Sequence, residues 1–143
     1  MATDRSARVT WTGSLMEGSG TIESVGSGAV GPLAVSWPSR AEEPSGRTSP
    51  EELIAAAWAS CYSMALSHGL AGAGTPPERL DTSVTVTFQP GEGIVRAAIT
   101  VVGTVPGADA AAFAAAAEGA KANCPVSKAL AGIPDVTLDA RLV

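Results

Sequence analysis

A single long helix, apolar on almost every side, constrains this chain more than any other feature. Its start is written in Ser49-Pro50-Glu51-Glu52: serine at the N-cap, proline at the first helical position and glutamate at the third. The two acids also suit the positive end of a helix. EELIAAAWASCYSMALSHGLAG then continues to about 69–74 with no polar face. Such a helix belongs in an interior, with other elements packed around most of it. A chain of 143 residues is about one domain's worth and buries roughly 68–70% of its unfolded surface, so it has the material for that cover. Charged residues make up 16% and apolar residues 45%, largely alanine and valine, a balance that argues against disorder. So many small side chains also suggest that a second subunit covers part of the apolar surface.

The remaining segments supply strands and shorter helices. ARVTWTGSL (7–15) alternates, with Val9, Trp11 and Gly13 on one face. GTIES (20–24) and PLAVSW (32–37) follow across Gly/Ser-rich gaps that suit hairpins. Residues 38–48 read as a polar loop. After a linker at 75–80, TSVTVTF (82–88) and GIVRAAITVVGTV (93–105) make a hairpin about Pro90-Gly91-Glu92-Gly93. An Ala-rich helix runs from 108 to about 121, with Phe113 its only large apolar residue. Asn123-Cys124-Pro125 interrupts it, a short helix follows over 126–130, and DVTLDARLV (135–143) is a last strand. The order βββ-α-ββ-α-α-β is that of one α+β domain spanning 1–143.

Several function classes are disfavoured. Nine basic residues face fourteen acidic ones, net −5, with no Lys/Arg cluster to meet phosphates, so no nucleic-acid partner is expected. No apolar run reaches the length of a membrane span. The opening MATDRSARVTWTG has no apolar signal-peptide core, so the cytoplasm is the expected compartment. Two cysteines and His68 are too few ligands for a closed zinc site, and no metal or cofactor is expected.

The chemistry rests on the two cysteines. Cys61 lies in the middle of the apolar helix, where an inert core thiol is the plain alternative. Cys124 directly precedes Pro125 at a helix start, where backbone N–H groups and the positive helix end lower a thiol pKa. Local physics therefore nominates Cys124 as the more reactive of the two. They form a redox pair only if they meet in space.

Two segments carry a resemblance. Thr48-Ser49-Pro50-Glu51-Glu52-Leu53-Ile54, with Ala59-Ser60-Cys61-Tyr62-Ser63-Met64-Ala65-Leu66, forms the first; Lys121-Ala122-Asn123-Cys124-Pro125-Val126-Ser127 forms the second. Together, in this order and with the early Trp11-Thr12-Gly13, they resemble the signatures of the OsmC/Ohr family of thiol peroxidases, in its OsmC branch. The resemblance implies an antiparallel sheet wrapped around two central helices in an intertwined homodimer. It implies that Cys61 is the peroxidatic and Cys124 the resolving cysteine, reversing the local nomination. Glu51 matches the catalytic glutamate, and Arg40 the activating arginine. An extra residue in loop 41–48 leaves Arg47 as a rival for that arginine.

An arginine is chemically apt here. Its charge is permanent, and its planar fork can hold a thiolate and a carboxylate together. Glu51 and Cys61, however, are ten residues apart on one helix, about 15 Å along its axis and about 80° around it. No shared arginine of the same chain joins them unless the helix breaks, so composite sites in a homodimer are expected. The implied activity is reduction of organic hydroperoxides, and more weakly of hydrogen peroxide, as an antioxidant stress response. It proceeds through a Cys61 sulfenic acid and an intramolecular disulfide, which a dithiol on a lipoylated protein then reduces. Trp58, Met64, Leu53 and Ile54 are candidates to line an apolar approach, although core packing explains Leu53 and Ile54 as well. His68 reads as a helix-end residue rather than a base. Two competing readings are a protein thiol–disulfide oxidoreductase, which would usually carry Cys-x-x-Cys, and a non-catalytic dimeric scaffold or small-ligand binder with two buried thiols.

Overall fold

The structure, a computed structural model, describes all of Met1–Val143. Its contacts fall into two compact units, Met1–Leu53 and Ile54–Val143.

In the first unit β1 (Ala7–Thr12), β2 (Ser19–Val25) and β3 (Leu33–Val35) form an antiparallel sheet in the order β1-β2-β3. Trp11 stands opposite Gly20. A Cβ at Gly20 would come within 2.8 Å of the Trp11 ring and 2.9 Å of Val35, so only glycine lets the indole cross β2 here.

The third strand is shorter than its sequence suggests, and the polar loop after it is partly helical. Trp37–Ala41 forms α1. Ser36 caps it, accepting from the Ser39 N–H at 3.2 Å while the Ser39 hydroxyl oxygen accepts from the Ser36 N–H at 3.0 Å. This reciprocal box, with Pro38 preset for the first turn, halts the strand and starts the helix.

The long helix, α2, runs unbroken from Pro50 to Gly72. Its start is as expected: the Ser49 hydroxyl accepts from the Glu52 N–H at 3.2 Å. From Ile54 onward it belongs to the second unit. There β4 (Arg79–Gln89) and β5 (Gly93–Thr104) make an antiparallel hairpin, and β6 (Asp135–Leu142) lies beside β5. The β5–β6 pairing is parallel rather than antiparallel. Its cause is the connection: α3 (Ala110–Asn123) and α4 (Pro125–Ala129) carry the chain back before β6 begins, as parallel strands require.

Trp58, Tyr62, Leu66 and Leu70 recur every fourth residue on α2 and pack with Ala97, Ile99 and Val101 of β5 and with Phe113, Ala117 and Ala120 of α3. Within the chain α2 therefore buries one stripe and not its whole circumference. Met64 and Leu53, on other faces, stay 71% and 38% exposed.

Candidate active site

Each unit contributes one constellation of the expected residues. In Ile54–Val143 the two cysteines come together. Cys61 sits half-buried in the interior of α2; Cys124 closes α3, opens α4 and is 0% exposed. Both are free thiols, near enough that each shifts the other's titration.

The turn into α4 places polar groups around Cys124. Burial by itself would push this thiol up. The Ser127 N–H, the Cys61 thiol, the Ser127 hydroxyl and the Val126 N–H together outweigh burial and hold it below its ordinary value. This is the shift that its place at a helix start suggests. Cys61 moves the other way. Burial pushes it up, the Val126 N–H only partly offsets that, and the hydrogen bond and charge of Cys124 add to the rise. Of the pair, Cys124 thus holds negative charge more readily.

Access is distributed in the opposite sense. Cys61 opens on a mainly apolar groove of about 840 Å³, lined also by Met64, Ala65, His68, Ala116 and Asn123. Of the residues suggested for an apolar approach, Met64 lies in this groove. Trp58 is instead buried in the core, where its indole N–H donates to the Ser127 hydroxyl oxygen at 2.7 Å. Ile54 packs against the core, and Leu53 is exposed in the other unit. Tyr62 is fully buried and donates to the Ala117 carbonyl at 3.0 Å. Burial, then the charges of Glu118 and Cys124, push its phenol up.

In Met1–Leu53, Arg40 of α1 meets Glu51 of the first turn of α2. Its Nε lies 3.1 and 3.2 Å from Oε1 and Oε2, and its Nη2 lies 2.8 Å from Oε1. The carboxylate is 8% exposed and the guanidinium 29%, so this is a forked pair largely out of water. The capped start of α2 orients Glu51, and the capping box of α1 orients Arg40. It is Arg40, not Arg47, that pairs with Glu51; Arg47 lines a separate cleft with Glu17, Glu43 and Pro44.

Sequence reading missed Ser127 and Trp58 as neighbours of the thiols. They are far apart in the chain, and the only signal was a hydroxyl three residues after Cys124. No three His, Cys, Asp or Glu side chains are grouped to hold a metal ion, and no helix is long and apolar enough to cross a membrane.

Residues 43–139 match the OsmC-like protein family. Over 145 aligned positions the chain is 38% identical to the Escherichia coli protein "Peroxiredoxin OsmC", covering 99% of both. The chain belongs to the OsmC-like family. Both cysteines and Glu51 fall within the matched stretch, and Arg40 lies just before it. The fold agrees with solved structures. An organic hydroperoxide resistance protein OsmC from Legionella pneumophila superposes with a TM-score of 0.69 at 22% identity, covering 95% of this chain and 96% of that one. The organic hydroperoxide resistance protein OhrB of Bacillus subtilis does so with 0.64 at 24% identity, covering 96% and 98%. At these identities the likeness concerns the OsmC-like fold alone.

Proposed function

We propose that this OsmC-family chain is a thiol-dependent peroxidase that reduces organic hydroperoxides, and hydrogen peroxide more weakly, as an antioxidant in the cytoplasm. The observation that carries this reading is a neighbouring pair of free thiols, one opening on an apolar groove and the other sealed from solvent. The name of the 38%-identical relative supports it.

Cys61 is the attacking sulfur, because it is the one a peroxide reaches. Its thiolate attacks the distal oxygen of ROOH, the O–O bond breaks, and the alkoxide leaves as the alcohol after taking a proton. Cys61 is then a sulfenic acid. The Cys124 thiolate attacks that sulfur, hydroxide leaves as water, and an intramolecular disulfide remains. A dithiol, of the kind carried by lipoylated proteins, reopens it by exchange and becomes a cyclic disulfide itself.

The groups of its own unit raise the Cys61 pKa, so its activation requires a cation. Arg40, held by Glu51, supplies it from the second chain of a homodimer, each site being composite. The unbroken course of α2 supports this, since it keeps Glu51 about 15 Å from Cys61 along the axis. So does the exposed Leu53, which a second copy would cover. One pKa unit of thiolate stabilisation corresponds to about 1.4 kcal/mol, well within the reach of a guanidinium.

Thiol counting tests the proposal. The protein is treated with one equivalent of cumene hydroperoxide, denatured without reductant and titrated for free thiols. Loss of both thiols within monomers is expected. Retention of both would leave the non-catalytic scaffold or ligand binder as the better reading.

A further inference from the structure

The geometry points to a pocket beside Arg40, walled by Trp11, Leu15 and Trp37, as the seat of the substrate's hydrocarbon group. It suits a compact aryl or branched alkyl hydroperoxide rather than a long acyl chain. This rests on the peroxidase cycle and the composite site proposed above, and names the substrate class they serve.

The pocket lies wholly within Met1–Leu53, and Arg40 forms part of its wall. It is built on a row across the first sheet. Trp11 of β1 stands opposite Gly20 of β2, and Gly20 opposite Val35 of β3. The Trp11 ring and a Val35 methyl come within 2.8 and 2.9 Å of where a Cβ would stand at Gly20, so the glycine lets both close over it. The Trp11 N–H donates to the Gly13 carbonyl at 3.0 Å, which fixes the orientation of the indole. Trp37 and Arg40 are three residues apart on α1 and so share a face. Trp11 and Leu15 stay 42% and 55% exposed, apolar surface that their own unit leaves open. The pocket holds about 200 Å³. Pockets that enclose a drug-sized ligand run to about 300–1,000 Å³, so this one takes a single ring or a tertiary alkyl group, and an extended acyl chain overfills it.

The reaction decides which end of the substrate goes there. In-line attack aligns the Cys61 sulfur, the distal oxygen and the proximal oxygen. The S–O bond forms, the O–O bond breaks, and the proximal oxygen leaves as alkoxide, which takes a proton to give the alcohol. Negative charge therefore grows on the oxygen that carries the hydrocarbon group, and a cation stabilises the transition state from beside that oxygen. With Arg40 in that place, the attached group meets the walls that adjoin Arg40, the Trp11 and Trp37 side chains among them. Hydrogen peroxide has a proton where this group would be and gains nothing from the pocket. That difference is a physical source for the preference for organic hydroperoxides.

The test measures rate constants for sulfenic acid formation by rapid mixing in the parent, Trp11→Ala, Trp11→Phe and Leu15→Ala. Each is given cumene hydroperoxide, linoleic acid hydroperoxide and hydrogen peroxide. One methylene in an apolar pocket already changes discrimination by roughly 10-fold or more. Trp11→Ala is therefore expected to lower the ratio of the cumene to the hydrogen peroxide rate constant about tenfold. By opening the wall it should also raise the ratio of linoleic acid to cumene hydroperoxide. Trp11→Phe should keep most of the parent ratio, and Leu15→Ala should shift it in the same direction as Trp11→Ala. Damage to the fold slows all three substrates together and leaves the ratios unmoved. Parent ratios in both alanine variants would overturn the inference, as would a parent that prefers linoleic acid hydroperoxide to cumene hydroperoxide. If Trp11→Ala fails to fold, Leu15→Ala, at an exposed side chain, decides in its place. Binding is also read without turnover, by ligand-observed NMR of cumyl alcohol titrated into Cys61→Ser protein. The alcohol should bind, and about tenfold more weakly once Trp11→Ala is added. Equal affinity with and without Trp11→Ala would overturn the inference. A parent that loses no thiol to peroxide while the alcohol still binds at Trp11 would refute the peroxidase reading and leave the pocket standing.

Discussion

Replacing Glu51 with glutamine removes the carboxylate that fixes Arg40 while keeping the shape of the side chain. Three close contacts join the two groups, at 2.8, 3.1 and 3.2 Å. Hydrogen bonds to charged partners contribute about 1.5–3 kcal/mol. Breaking a fully buried pair costs about 3–5 kcal/mol. Arg40 is 29% exposed, so water takes over part of the loss and the lower range applies. If Glu51 serves to hold Arg40 over the reacting thiol, that loss falls on the first chemical step, and sulfenic acid formation slows by roughly 10- to 100-fold. Rapid mixing with cumene hydroperoxide, acid quench and alkylation of remaining thiols measures this step. Closure from sulfenic acid to disulfide should keep its parent rate, because that step uses donors from α4. The cycle is completed with Arg40→Gln and the double variant. Residues acting as one unit are not additive, so the double variant should be no slower than Arg40→Gln alone. A Glu51→Gln protein that melts normally and consumes peroxide at the parent rate would refute the reasoning, and additive losses would do the same. The Arg40–Glu51 pair would then be only a clasp between α1 and α2.

Three further outcomes are expected. Mixing Cys61→Ser with Glu51→Ala protein should regenerate active heterodimers after subunit exchange, and absence of recovery after proven exchange would exclude composite sites. Tyr62 is an acid whose pKa is raised on folding, so its contribution is complete below the unfolded value of about 10. It is lost as pH rises toward the folded value, because the unfolded phenol ionises first. Denaturant midpoints should therefore fall above about pH 10, and less so in Tyr62→Phe, which at neutral pH costs about 0.5–1.5 kcal/mol for its lost hydrogen bond. Gly103→Ala would bring a Cβ within 2.5 Å of the buried Phe113 ring and should destabilise by about 1–3 kcal/mol in a urea titration.

What the sequence disclosed follows from how locally each feature is determined. The start of α2 is encoded within Ser49-Pro50-Glu51-Glu52, and the alternation of β4 and β6 within each strand; these were legible. The capping box of α1 is equally local, Ser36 and Ser39, but Pro38 and the polar residues around it read as a loop. The direction of β6 could not be read, because a period of two is the same in either direction. The one-sided burial of α2 was also hidden. Composition reports that a helix is apolar, not which of its faces its own chain covers. Cys61 and Cys124 could be joined only by family resemblance. The bond between Trp58 and Ser127 spans 69 residues, and its only local trace was a hydroxyl three residues after Cys124.

A two-thiol peroxidase needs one sulfur that substrate can reach and another that bears charge well enough to attack and to leave. Here these demands conflict if placed on one residue, since the donors that hold a thiolate also enclose it. The fold separates them. A turn between two helices buries Cys124 where its surroundings lower its pKa, at the expense of access. A helix interior leaves Cys61 with few donors and an open groove. On the proposed cycle the accessible thiol must then borrow its charge from outside its own unit. That is the physical reason to expect an arginine delivered by a second copy of the chain, and to expect that dissociating the dimer abolishes sulfenic acid formation. The Cys124 thiolate titration, whose donors all lie within one unit, should survive the same dissociation.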